Sequence, residues 1–258
     1  MVDLSIIIVT YNSDKFIRDC LNSIQNEKEN LSSTEVIVVD NDSRDQTVNI
    51  IEKEFPWVYL IKNRKNIGLA RANNQGIDIS SGKYLLFLNP DTKILQGSLV
   101  KLINFMETTP DVGVVGIKLL YPDGTIQYSC REFPNIRVIL FRRTILGKLF
   151  GKETLNKYLM SDWDHNEIKE VDWVLGAFLA IPRKVLNEVG CFDPTYKLYF
   201  EDIDLCYRVK KAGYKIYYYP NAEAIHYYQR ESKNLFSIKA LWHIQSAVIF
   251  FRKFGWKF

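Results

Sequence analysis

The sequence has no apolar run of the ~18 residues that a membrane-spanning helix needs. It has no C-x-x-C pair either. Cys20, Cys130, Cys191 and Cys206 lie far apart, which argues against a zinc ribbon or a dithiol redox motif and for isolated thiols in a reducing cytoplasm. No fixed-period repeat or low-complexity tract appears, and a composition of 47% hydrophobic and 25% charged residues is that of a globular chain rather than a disordered one. The opening MVDLSIIIVTYNS does not read as a signal peptide: it carries an acid at Asp3, lacks a basic leader, and its apolar run stops at Thr10. A soluble or peripheral protein is expected. Histidine is scarce, with three in 258 residues, so each can be weighed singly.

Aromatic residues are plentiful, at 14%, and crowd into the second half. The net charge of +4 is unevenly spread. Residues 137–152 (Arg137, Arg142, Arg143, Lys148, Lys152) and 232–258 (Lys233, Lys239, Arg252, Lys253, Lys257) hold ten of the 34 basic residues and none of the 30 acids. The remainder is acidic, so the chain reads as an acidic body with two basic aromatic patches. No nucleic-acid partner is expected.

Ser5–Thr10 and Glu35–Asp40 are continuous β-branched runs, the mark of strands buried on both faces. Trp57–Ile61 and Tyr84–Leu88 read as further strands, with Val112–Leu119 after them. Helices are expected from Asn12 or Ser13 as N-cap to about Asn26, over Gln46–Phe55, over Gly68–Ser80 and over Gly97–Thr108. This alternation predicts a parallel sheet covered by helices, with ligands at the carboxyl ends of its strands. Polar residues collect there: Thr10-Tyr11-Asn12, Asp40-Asn41-Asp42 and Asn89-Pro90-Asp91. Beyond a turn at Tyr121–Gly124, residues 131–165 read as an irregular, basic, aromatic segment. Val171–Ile181 then returns to strand character, Glu201–Ala212 is an amphipathic helix ended by Gly213, Tyr214–Tyr219 is a strand, and Leu235–Phe254 is a terminal helix.

Several of these residues can carry chemistry. A carboxylate at Asp40 can accept the imide N–H of a pyrimidine, with Asp42 near ribose hydroxyls; the plainer alternative is a turn. Asn89-Pro90-Asp91 has the form of an acidic motif that holds a divalent cation against a diphosphate, or of a simple Pro-Asp turn. Glu201 and Asp202 sit at a helix N-terminus, where acids also act as dipole partners; Asp202 is a candidate general base, while Asp204 is expected to be structural. His226 is either a packed histidine or a nitrogen ligand to the same cation. Arg71 and Asn74, three residues apart on one helix, share a face, and an arginine there can meet phosphate oxygens.

Six segments together resemble the family 2 glycosyltransferases: SIIIVTYNS (5–13), VIVVDNDSRDQT (36–47), NIGLARANNQGI (66–77), LFLNPDT (86–92), VLGAFLAIPR (174–183) and GCFDPTYKLYFEDIDLCYRVKKAGYKI (190–216). The third and the last look closest to the rhamnosyltransferase-like branch. The resemblance implies a GT-A fold, α/β with a Rossmann-like, mostly parallel central sheet flanked by helices. Residues 1–120 would form the nucleotide-sugar half, 121–232 the acceptor-binding and catalytic half, and 233–258 a basic aromatic helix. Thr10, Tyr11, Asp40 and Asp42 would hold the nucleoside. Arg71, Asn74 and Asn89 would lie along the donor, and Asp91 with His226 would hold Mn2+ or Mg2+. Trp173, Leu175, Gly176, Ala177 and Glu201 would line the acceptor side, and Asp202 would be the base. Asn89 departs from a strict D-x-D.

The implied activity is an inverting, metal-dependent transfer from a dTDP- or UDP-linked sugar, with L-rhamnose the first choice. The acceptor would be a saccharide or a polyprenyl-diphosphate-linked saccharide of bacterial surface polysaccharide. A non-catalytic nucleotide-sugar-binding module is the second class, opposed by the presence of both Asp91 and Asp202. A nucleotidyltransferase is a third, opposed by TYNSDK where a glycine-rich basic loop would follow the first strand. The terminal helix either packs on the core or lies on an anionic membrane at its inner face. Pairing with a second copy of the chain stays open.

Overall fold

A computed structural model describes residues 2–28, 33–143, 150–227 and 238–255. Parts of both basic stretches, including Lys148, Lys233 and Lys257, and the expected helix start at 235–237 lie outside the described residues.

Four parallel strands form the first half of the sheet: β1 (Leu4–Thr10), β2 (Thr34–Asp40), β3 (Tyr59–Lys62) and β4 (Tyr84–Leu88). The β-branched runs are buried on both faces, as their composition requires. Ile7, Ile37 and Val39 turn to one core, and Ile6, Ile8, Val36 and Val38 to the other. Helices α1 (Ile17–Lys28), α2 (Thr47–Glu54), α3 (Leu69–Ile79) and α4 (Ser98–Thr108) cover these strands. The approach of α3 to β1 is close enough that a Cβ on Gly76 would sit 2.5 Å from Ile7 Cγ2.

The rest of the main sheet comes from β5 (Thr92–Ile94), β6 (Val112–Leu120), β11 (Phe178–Pro182) and β12 (Lys215–His226), in the overall order β3-β2-β1-β4-β11-β6-β12-β5. Only β5 and β11 run against the other six strands. Short strands add to this: β7 (Ile126–Gln127) on β6, β9 (Lys169–Glu170) on β12, and a separate pair of β8 (Cys130–Arg131) with β10 (Trp173–Val174).

Several elements differ from expectation. Among the described residues of 131–165 are two helices, α5 (Ile136–Arg143) and α6 (Lys152–Leu159). The stretch 171–181 is two strands, broken at Leu175–Ala177. β12 runs past Tyr219 to His226, accommodating Pro220 by a register shift between Tyr219 and Glu223. The Asn12 side chain does not cap α1: its Oδ1 accepts from Arg44 N–H at 2.8 Å. The first turn is set by the Ser13 carbonyl, which accepts from Phe16 and Ile17.

After α7 (Arg183–Val189) and α8 (Glu201–Lys211), the terminal helix α9 (Ile238–Phe254) packs one face on the core through Ala247, Phe250 and Phe251. Among the described residues no helix is long and apolar enough to cross a membrane. All four cysteines are free, and only Cys191 is exposed.

Candidate active site

The carboxyl ends of β1, β2 and β4 bring the expected polar clusters into one crevice. Thr10 and Asp40 are register partners. The Thr10 hydroxyl donates to Asp40 Oδ1 at 2.8 Å and Ser43 N–H to Oδ2 at 2.9 Å. These bonds fix the carboxylate and leave each oxygen a lone pair for a ligand. Tyr11, 53% exposed, stands beside it. Asn12 and Asp42 both take left-handed backbone (φ 52° and 72°), and the two loops are zipped together by Asn12 N–H to Ser43 Oγ and Ser13 N–H to Thr47 Oγ1. Asp42 also lies 3.6 Å from the exposed Arg44.

Asn41, which the sequence reading did not single out, is buried and organises the next loop. Its Oδ1 accepts from Ile67 N–H and its amide N–H donates to Asn66 Oδ1, while Asn63 exchanges hydrogen bonds with Gln75. Arg71 follows on α3 and is exposed. Asn74 is committed elsewhere: its amide donates to Phe192 C=O at 2.8 Å and accepts from Phe192 N–H at 3.1 Å. Both halves of the carboxamide fasten the 192 loop, a bracing contact that the sequence did not announce.

The Asn89-Pro90-Asp91 turn leads into β5, whose antiparallel pairing with β12 sets Thr92 opposite His226. His226 Nε2 lies 3.3 Å from Asp91 Oδ1, so the two expected metal ligands do converge although 135 residues separate them in the chain. His226 Nδ1 lies 2.7 Å from Oε1 of Gln127, a buried residue at the end of β7. Among the described residues no group of three or more His, Cys, Asp and Glu side chains gathers around a common point. One carboxylate and one imidazole fit a divalent cation that draws its other ligands from water and substrate phosphates.

Asp202 enters from the first turn of α8. Tyr199 and Phe200 immediately before it are both left-handed (φ 66° and 70°), a strained conformation for aromatic residues that sharply reverses the chain. Asp202 Oδ2 accepts from Gly176 N–H at 3.1 Å and Oδ1 from Ile203 N–H at 2.9 Å. Burial raises its pKa; the two N–H groups and the Arg131 charge pull the other way without cancelling that rise. Burial and then the Asp202 charge raise Glu201 as well, and Glu201 Oε2 is buried with no hydrogen-bond partner. Asp204 is structural, as expected: fully buried, it meets Tyr196, Arg208 and Lys253.

The break between β10 and β11 ties these groups together. Leu175 N–H donates to Ser129 C=O, Gly176 N–H to Asp202, and Ala177 C=O accepts from Asn89 N–H. Leu175 and Gly176 are half-buried at the crevice. Trp173 is only 3% exposed, with its indole N–H on Glu132 C=O and its ring beneath the Arg131 guanidinium. Its ring is enclosed and presents no open face.

The glycosyl transferase family 2 model matches residues 5–207, which span the crevice, Asp91 and Asp202. The chain belongs to glycosyl transferase family 2. Among its relatives, the N-acetylglucosaminyl-diphospho-decaprenol L-rhamnosyltransferase of Mycobacterium tuberculosis (strain H37Rv) is 27% identical over 87% of this chain and 76% of its own length. Rhamnosyltransferase WbbL of Escherichia coli (strain K12) is 27% identical over 93% and 89%.

Solved structures of lower identity share the GT-A fold. GalNAc-T7 with UDP, GalNAc and Mn2+ matches with a TM-score of 0.70 at 17% identity, covering 98% of this chain. The mannosyltransferase PcManGT from Pyrobaculum calidifontis with GDP-Man and Mn2+ matches at 0.63 and 19%, covering 96%. The family 2 chain spans 48% and 64% of those two chains.

Proposed function

We propose that this family 2 glycosyltransferase moves L-rhamnose from dTDP-L-rhamnose to a saccharide hydroxyl by a single inverting displacement, with Asp202 as general base. The observation that carries the catalytic part is the Gly176–Ala177 peptide segment. It holds Asp202 through one N–H and the Asn89 turn through the adjacent carbonyl, which supports placing the base and the diphosphate end of the donor on opposite sides of one short backbone link.

In this reading Thr10, Tyr11, Asp40 and Asp42 hold the nucleoside, with Arg71 and Asn89 along the diphosphate. The acceptor lies over Leu175–Ala177 and Glu201, supported by Trp173. Asp202 takes the proton of the acceptor hydroxyl as its oxygen bonds to the anomeric carbon. The bond from that carbon to the diphosphate oxygen breaks, its electron pair leaves with the nucleoside diphosphate, and the proton passes from Asp202 to solvent. Mn2+ or Mg2+ on Asp91 and His226, when bound, would offset the charge left on the departing diphosphate.

The rhamnose assignment draws on the two relatives named as rhamnosyltransferases, one of which acts, by its name, on a diphospho-decaprenol-linked sugar. A polyprenyl-diphosphate-linked saccharide is the acceptor proposed here, met at the inner membrane face with α9 as the contact. A UDP-hexose donor is the second reading, favoured by the UDP-bound relative of highest fold similarity given above.

A thermal-shift panel of UDP, dTDP, GDP and CDP, each with and without Mn2+, tests both. Metal-dependent stabilisation by dTDP above UDP is expected. Stabilisation by UDP alone moves the donor to a UDP-hexose, and no response to any nucleotide overturns the site.

A further inference from the structure

Gln127 belongs to none of the segments that carry the family resemblance, yet it is the side chain that meets the inner nitrogen of His226. It closes a short hairpin from β6. Tyr121 N–H donates to Thr125 C=O, Gly124 N–H to Tyr121 C=O, and Asp123 Oδ1 accepts from both the N–H and the hydroxyl of Thr125. β7 then pairs with β6, Leu119 opposite Gln127, while the other edge of β6 carries β12 with Leu119 opposite Ala224. One strand therefore fixes Gln127 and the strand end bearing His226 from its two sides. Gln127 is 4% exposed, and its Oε1 lies 2.7 Å from His226 Nδ1.

We propose that Gln127 is a positioning residue that sets the tautomer and ring plane of His226 so that Nε2 offers its lone pair to a divalent cation shared with Asp91. The inference rests on the metal reading of Asp91 and His226 given above. An amide oxygen has no proton to give, so the 2.7 Å contact requires the proton on Nδ1. In the neutral ring Nε2 is then the atom with the lone pair, and it faces the Asp91 carboxylate at 3.3 Å. An unprotonated Nε2 and a carboxylate oxygen at that distance repel, and a bound cation, or the second proton of an imidazolium, would relieve that repulsion. Outer partners of this kind fix the orientation of a ligating imidazole and raise its basicity, and their loss typically weakens metal binding about 10- to 100-fold. The competing arrangement has the carboxamide turned round, with its N–H donating to Nδ1. Nε2 would then carry the proton and donate it to Asp91, and His226 would be a structural hydrogen-bond donor only.

Two measurements separate these cases without relying on turnover. Long-range 1H–15N spectra of the imidazole rings in the metal-free wild-type protein report the tautomer directly. With three histidines in the chain, His226→Asn assigns the signal. The Nδ1-protonated form is expected; the Nε2-protonated form overturns the proposal. Mn2+ titration followed by electron paramagnetic resonance, with dTDP or UDP present, gives the second test on wild type, Gln127→Leu, Gln127→Glu and His226→Ala.

Gln127→Leu is expected to weaken Mn2+ binding about 10- to 100-fold. Gln127→Glu, which keeps the acceptor, should bind at least as tightly as wild type. If His226→Ala binds Mn2+ like wild type, the metal reading itself fails. If His226→Ala loses Mn2+ while Gln127→Leu keeps it, only the role of Gln127 is overturned. Should Gln127→Leu not fold, the wild-type spectrum and Gln127→Glu still decide.

Discussion

Gly176 N–H donates to Asp202 Oδ2 at 3.1 Å across 26 residues of chain. Together with Ile203 N–H on the other oxygen, it leaves the carboxylate one orientation and an unshared lone pair on each oxygen. A carboxylate held in this way needs no side-chain partner to be aimed, and if Asp202 is the base proposed above, its proton affinity rather than its placement is the adjustable quantity.

Asp202→Asn removes the proton acceptor at nearly constant shape. Transfer is expected to fall by about 10²- to 10⁴-fold, the usual worth of a positioned base. Metal-dependent nucleotide binding, proposed at Thr10, Asp40 and Asp91, should survive. Steady-state transfer measured beside calorimetric titration of the nucleotide with Mn2+ checks both halves. Near-normal turnover in Asp202→Asn would remove Asp202 from the role of base.

The paired acids give a pH signature. Burial raises both carboxyls, Asp202 above its ordinary value and Glu201, with the Asp202 charge added, to about 8. Activity that requires ionised Asp202 should therefore decline at its acid limb from a pH above the free aspartate value of about 3.9. For stability the sign is opposite. A group whose folded pKa exceeds its unfolded one stabilises the protein fully below the unfolded value and ceases to as pH rises through the folded one. For Glu201 that window runs from about 4.3 to about 8. Glu201→Gln stays neutral throughout, so its Tm should match wild type in acid and exceed it above the window. A Tm scan from acid to alkaline pH measures this, and parallel curves for the two proteins would refute the raised Glu201.

What the sequence made readable follows from chain-local physics. Apolar runs leading to Thr10, Asp40 and Asn89 announce parallel strands, and polar residues at their ends announce a crevice, because strand direction decides which end faces ligand. The convergence of Asp91 and His226 came from the family resemblance, since only β5–β12 pairing joins them. Gln127 was missed, and the contacts made by Asn41 and by the Gly176–Ala177 segment were not foreseen, because they depend on sheet order. The bracing contact of Asn74 was out of reach for the same reason: its partner, Phe192, is 118 residues away. Trp173 was expected to line the acceptor side, and its burial beneath Arg131, with its N–H on Glu132 C=O, is a packing fact that sequence does not carry. Helix α5 in 131–165 went unseen because it carries apolar and basic residues on all sides and offers no amphipathic period.

Lys253 on α9 donates to Asp204 at 2.6 Å and to Asp193 at 2.9 Å, and Ser246 donates to Leu198 C=O. The rings of Tyr199 and Phe200 pack on His243, at 5.4 and 5.3 Å. The terminal helix thus braces the left-handed pair that delivers Asp202. Lys253→Met leaves buried Asp204 with Tyr196 and Arg208 only, and because Lys253 is itself about one-third exposed, a loss of about 1–2 kcal/mol is expected. Chemical denaturation measures it. A lower kcat with an unchanged donor KM would place the effect at the base. An unchanged kcat in a folded, destabilised variant would confine the helix to a stabilising role.

The same helix turns Leu241 (66% exposed) and Ile244 (49% exposed) outward, three residues apart on one face. Apolar side chains on a basic segment are suited to the surface of an anionic bilayer, where each buried side chain adds hydrophobic transfer to the Coulomb attraction. If the acceptor is lipid-linked, this face is the one expected to meet the membrane. The double variant Leu241→Asp and Ile244→Asp should lose flotation with vesicles containing anionic lipid, while transfer to a water-soluble saccharide acceptor is retained, since neither side chain packs on the core. Salt should weaken wild-type flotation as the Debye length shortens. Equal flotation of both proteins would dismiss the face as a membrane contact and leave α9 the bracing role alone.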